Sequence, residues 1–217
     1  MIENYGADAV RLFILSDSPP AKDVQWSDQG MIGSYKFVQK LWQMHKNIKD
    51  KIEKNESNNL NNDDLEKFTN KLIDKFNNNL ENFTYNVLVA NMYETYNYFN
   101  TLLKKDLNSK KLKECYIKIL TIFSPLIPHL SSECMENLNA DSSVIWPEIN
   151  KQFLNSDVVN YVIQINGKKR SLLSAKKDIL EENLIEIVKK DKALSKYVEN
   201  KTINKAILVK NKLLNLL

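Results

Sequence analysis

"VNYVIQINGKKRSLLS", residues 159–174, is where the period of this 217-residue sequence changes. Residues 159–166 are β-branched and alternating, the pattern of a strand rather than a helix. Asn166–Gly167 follows, and both residue types accept the positive φ that a two-residue hairpin turn requires. The return strand is 168–174. Beyond it, Asp178 and Glu181 form a capping-box-like pair before a helix expected near 179–190, with a shorter helix near 192–198. "TINKAILV" and "LLNLL" read as the last strands, so 158–217 is a small α+β domain.

Working back toward the N-terminus, the alternation disappears. Residues 151–157 read as a linker, and everything before them has three-and-four apolar spacing. A first helix carries Tyr5, Ala9, Leu12 and Phe13 and stops at Ser16–Asp17–Ser18 before Pro19 and Pro20. A second opens at Ser27 or Asp28, with Met31, Ile32, Tyr35, Val38, Leu41, Trp42, His45, Ile48 and Ile52 along one stripe. The polar run 55–64 reads as a loop. Asp63 or Asp64 is the expected cap of a third helix, a fourth runs through 85–103, and Ser109 is the expected cap of a fifth. "PLIPHLSSECMENL" resumes as a helix with proline in its first turn. The fold class is therefore mainly α: a helical bundle over 28–150 followed by the α+β domain.

Composition excludes several classes. Four glycines argue against a glycine-rich phosphate loop, and there is no P-loop, GxSxG or zinc spacing. Cys115 and Cys134 lie on apolar helix faces and read as small hydrophobes. His45 and His129 read as packed or capping residues rather than catalytic bases, so no catalytic residue and no metal site is expected. No apolar run approaches the roughly 20 residues that span a bilayer, and the N-terminus lacks the pattern of a signal peptide. No membrane partner is expected, and the expected location is the cytoplasm.

Charge is unevenly placed. Residues 158–217 carry 13 Lys and Arg against 6 Asp and Glu, whereas the rest of the chain is slightly acidic. The basic hairpin is thus the candidate polyanion site. Lys168, Lys169 and Arg170 follow the turn formed by Asn166 and Gly167. Lys205, Lys210 and Lys212, from the last strand pair, are expected to lie beside them. Such a ribbon can grip phosphates, or it can be a hairpin end kept soluble by charge. Trp42 reads as core. Trp26 and Trp146 sit in loops, where stacking on a base competes with anchoring the loop.

Three stretches carry a family resemblance. "YGADAVRLFILSDSPPAKDVQWSDQG" resembles the segment that follows the KMSKS loop in bacterial-type leucyl-tRNA synthetases, which are class I enzymes. "SPLIPHLSSECMENL" is similar to their Pro-x-x-Pro-His helix, although Met135 stands where many relatives have tryptophan. "VIQINGKKR" and "KAILVKNKLLNLL" are similar to their C-terminal domain. The resemblance implies a stem-contact segment over 1–27 that includes Trp26 and Ser27, then an anticodon-binding-like bundle, then a domain facing the outer corner of transfer RNA. It also implies that the catalytic fold with HIGH and KMSKS, and the editing domain, lie upstream of a C-terminal portion. ATP and Mg would serve that intact, monomeric ligase and not this chain. The implied partners are leucine tRNA and the upstream catalytic domain. A free-standing RNA-binding module and a helical scaffold remain as alternatives.

Overall fold

The computed structural model describes residues 1–17, 19, 21–54, 63–140, 145–154, 158–191, 193–198 and 205–217. The chain divides into two units, Met1–Leu154 and Asn155–Leu217. Parts of the expected polar loop, the linker and the start of "TINKAILV" lie outside the described residues.

The first unit is helical: α1 (Ile2–Tyr5), α2 (Ala7–Asp17), α3 (Asp28–Glu53), α4 (Asp63–Glu81), α5 (Tyr85–Leu102), α6 (Ser109–Phe123) and α7 (Pro128–Asn137). Ser27 caps α3, its hydroxyl oxygen accepting the Gly30 N–H at 3.1 Å. Asp63 and Asp64 are the first two residues of α4 rather than its cap, where their charge meets the positive end of the helix dipole. Asn108, not Ser109, caps α6 by accepting the Lys111 N–H at 3.0 Å. Ser109 is buried one residue later and donates its hydroxyl to the Lys51 carbonyl of α3. Pro128 occupies the first turn of α7, where a missing N–H costs nothing.

The apolar stripes meet in one core. Phe37, Leu41 and Ile48 of α3 pack with Leu72 and Phe76 of α4, Leu88 and Phe99 of α5, and Ile119 and Phe123 of α6. Ile32 departs from its expected stripe and is exposed. Met31 is buried as expected, in a small cluster with Ala9 and Phe13. Met135 is buried in the main core as a small, adaptable filler. Residues 151–153, expected as linker, form a short 3-10 helix, and the preceding Asn150 N–H bonds to Asn70 Oδ1 of α4 at 2.8 Å.

Two long-range contacts fasten α2. The Arg11 guanidinium donates to the carbonyls of Pro125 and Leu126. Asp8, almost wholly buried, accepts the Leu130 N–H at 2.7 Å and the His129 N–H at 3.4 Å, so it caps α7 from 121 residues away in sequence.

The second unit consists of β1 (Val158–Ile165), β2 (Lys168–Lys176), α8 (Glu181–Lys190), α9 (Ser195–Val198), β3 (Ala206–Val209) and β4 (Leu213–Leu216). Strand order is β2-β1-β4-β3. β1 and β4 run parallel, and the other pairs are antiparallel. Tyr161, Ile163 and Ile165 alternate inward with Leu214 and Leu216 and meet Leu184 and Val188 of α8. The expected capping box is absent. Leu180 precedes α8 without a side-chain cap, and Asp178 takes φ 61° to face Asn211 and Lys210 instead. The Asn211 amide and then the Lys210 ammonium hold its carboxyl below the usual carboxylate range.

Candidate nucleic-acid interface

The hairpin tip is rigid for reasons legible in its backbone. Asn166 (φ 52°) and Gly167 (φ 73°) supply the two left-handed positions of the tight turn. The turn is then tied to the neighbouring strand: Asn166 N–H donates to the Leu216 carbonyl at 2.9 Å, and Gly167 N–H to Asn215 Oδ1 at 3.1 Å.

Lys168, Lys169 and Arg170 leave this turn exposed to solvent. Register runs Ile163 opposite Ser171 but Gln164 opposite Lys169, so Arg170 is the extra residue of a β-bulge. The bulge sends the Arg170 guanidinium over the Tyr197 ring of α9, at 4.5 Å from the centroid.

Topology sorts the remaining lysines. Because β4 runs parallel to β1, its C-terminal end and the start of β3 share the end of the sheet that bears the hairpin turn. Lys205, whose backbone exchanges hydrogen bonds with Leu217, therefore joins Asn166, Gly167, Lys168, Lys169 and Arg170. Lys210 and Lys212 do not: they flank the β3–β4 turn at the opposite end, where Lys210 pairs with Asp178 at 3.2 Å. The expected single cluster of lysines is two clusters, because β4 runs parallel to β1 and carries the β3–β4 turn to the opposite end of the sheet.

Between those two basic ends lies a feature that the sequence reading missed. α8 covers one face of the sheet; on the other, Leu172, Val162, Leu213 and Val209 pair across all four strands in one transverse row. Leu172 is 56% exposed, Val209 45%, and Ile207 beside them 40%. The available signal was Val162 and Leu172, apolar at the outward positions of strands whose inward positions were already apolar. An uncovered aliphatic row framed by lysines suits a partner with a flat apolar surface between two lines of negative charge.

In the first unit, Trp26 is 51% exposed. Its ring meets Phe13 edge-on at 5.0 Å, and its indole N–H donates to Asp28 Oδ1 at 2.8 Å. Phe13 is buried beneath it, while Ile14 is exposed. Gly30 permits this packing, since a Cβ there would lie 2.8 Å from Phe13 Cε2. Gly30→Ala is thus expected to cost about 2 kcal/mol by overpacking, read as a lower urea midpoint at unchanged slope. A larger, more mobile Trp26 emission signal should accompany it; unchanged stability would show that Phe13 yields freely.

His45 is enclosed by the bundle, and His129 Nδ1 donates to Asp8 Oδ1 at 2.9 Å. Among the described residues no group of three His, Cys, Asp or Glu is placed to hold a metal ion.

Comparison with known proteins gives the family and the fold. The chain belongs to the family described as the anticodon-binding domain of tRNA ligase, whose model matches residues 62–187. Leucine--tRNA ligases are among its relatives. Leucine--tRNA ligase of Thermosipho melanesiensis is 37% identical over 227 residues, covering 100% of this chain and 28% of that protein. The leucine--tRNA ligases of Petrotoga mobilis and Thermotoga maritima are each 34% identical with the same coverage. The chain thus spans 28% of the length of these curated relatives. A crystal structure of Agrobacterium radiobacter K84 agnB2 LeuRS in ternary complex with tRNA and LeuAMS shares the fold, with a TM-score of 0.74 at 20% identity over 99% of this chain. No helix among the described residues is long and apolar enough to cross a membrane.

Proposed function

We propose that this chain binds leucine tRNA and contributes positioning energy to an aminoacylation performed by catalytic and editing regions such as its longer relatives carry. The observation that carries the reading is the hairpin end of the second unit, where Lys168, Lys169, Arg170 and Lys205 border an uncovered aliphatic row. Lysines there bind phosphates, and the row packs against exposed bases of the folded RNA. Trp26 and Ser27 serve the stem-contact role. Lys210 and Lys212 form a second, separate phosphate contact. Binding energy gained at this distance from the reaction centre holds the acceptor end in place in the intact, monomeric ligase. ATP and Mg act in that upstream region, so the isolated chain is expected not to charge tRNA with leucine.

Fluorescence anisotropy with leucine tRNA across a salt series tests the reading. An RNA of equal length with its corner loops unpaired is the control. Lys168→Ala with Lys169→Ala is the informative variant, because Arg170 also packs on Tyr197 and its loss perturbs the fold. The tRNA is expected to bind at least tenfold tighter than the control. Each lost phosphate contact is expected to lower the log–log salt slope by roughly 0.9, the duplex value. Equal affinity for both RNAs with equal slopes would reduce the basic end to nonspecific attraction.

A further inference from the structure

The groove between α6 and α7 is unlike the rest of the surface of the helical unit. It encloses about 340 Å³, near the lower end of the range for small-molecule sites. Its walls are preformed. Pro125 and Pro128 are conformationally fixed, and the Trp146 indole is pinned by an N–H···O bond of 2.8 Å to Asn77 Oδ1. Met135 supplies a polarisable thioether at the floor.

The polar groups decide what fits. None of the described residues lining the groove is charged, so neither a phosphate nor an ammonium has a counter-charge there. The hydroxyls of Thr121 and Ser124 already donate to the carbonyls of Ile117 and Thr121. Ser131 differs. It is 0% exposed, and its Oγ has no hydrogen-bond partner among the described residues. A buried hydroxyl left unpaired costs on the order of 1–3 kcal/mol, which a ligand with a matching edge recovers. Indole, proline rings and a thioether together favour an aromatic face over an aliphatic one.

We propose that this groove is a binding site for one neutral, planar heteroaromatic ring of nucleobase size, its face on Trp146 and its edge hydrogen-bonded to Ser131 Oγ. The ring belongs either to a free nucleoside or to an unpaired base of a bound RNA. The site stands on its own lining and does not depend on the hairpin surface.

The test is a titration of adenosine into the full chain carrying ¹³C-methyl methionine. The Met135 methyl is expected to move upfield and saturate, while Met31, Met44 and Met92, buried elsewhere, stay in place. Ser131→Ala removes an unpaired hydroxyl and so leaves folding intact. It is expected to weaken binding about fivefold, the worth of one neutral hydrogen bond. A Met135 methyl unmoved at millimolar adenosine overturns the proposal, as does equal binding by Ser131→Ala. Leucine tRNA then identifies the source. If it shifts Met135 and competes with adenosine, the base is the RNA's; if it binds without moving Met135 while adenosine does, the ligand is a free nucleoside. Failure of tRNA binding in the anisotropy assay leaves the adenosine result standing, so the two readings fail separately.

Discussion

Asp8→Ala is expected to destabilise the helical unit by about 3 kcal/mol, the joint loss of a helix cap and of charge-assisted hydrogen bonds. The carboxylate is almost wholly buried and accepts three donors, the N–H groups of Leu130 and His129 and the His129 ring. Removing it leaves the first turn of α7 with orphaned donors and takes an anion from the positive end of that helix. Asp8→Asn retains one acceptor without the charge, so it should lose roughly half as much. Urea denaturation at neutral pH measures both. Wild-type stability in Asp8→Ala would mean that water replaces the carboxylate without penalty, and that α2 is held by Arg11 and Phe13 alone.

Acid is expected to act through His45. The ring is 1% exposed, stacked on Trp42 and 3.3 Å from the Tyr116 hydroxyl across the bundle. Burial, and then Lys49, lower its pKa from 6.5 to about 4, with Glu133 opposing. The Tyr116 hydroxyl and the Cys134 thiol on the facing helices are raised by the same burial, Cys134 to about 12, so neither offers a compensating charge. The native state refuses a proton that the unfolded chain takes up below its ordinary pKa of about 6.5. Stability is therefore full above that pH and falls as pH drops toward 4, by about 3 kcal/mol in all. His45→Leu should remove this contribution from the slope of stability against pH between 4.5 and 6.5. Wild-type and variant slopes that coincide would show that the buried ring takes up its proton without resistance.

The sequence disclosed the helices and the hairpin because both are governed by near neighbours. Spacing of three and four, the Ser27 cap and the Asn166–Gly167 turn are all local signals. It did not disclose Asp8 as the cap of α7, because no pattern near residue 129 points 121 positions back. The expected Ser109 and Asp178–Glu181 caps failed for a related reason. Each residue is locally suited to the role but is claimed by a distant partner, Lys51 in one case and Asn211 in the other. At the candidate interface, the residues of the turn were legible from charge and turn chemistry. The division of the lysines was not, since it depends on β4 entering parallel to β1. The aliphatic row appears only once four strands are in register.

That same strand arrangement governs when the small unit can exist during synthesis. β4, made last of the four strands, lies inside the sheet, between β1 and β3. Until Leu213–Leu216 have left the ribosome, β1 and β2 are an isolated two-stranded ribbon, marginal in water. Before that point β3 has no strand partner among the described residues. The unit therefore cannot assemble piecemeal as its chain emerges. Without Leu213–Leu216, β1 and β2 remain an isolated hairpin, with the edge of β1 open to pairing with other chains. Emergence of β4 and completion of the basic surface become the same event.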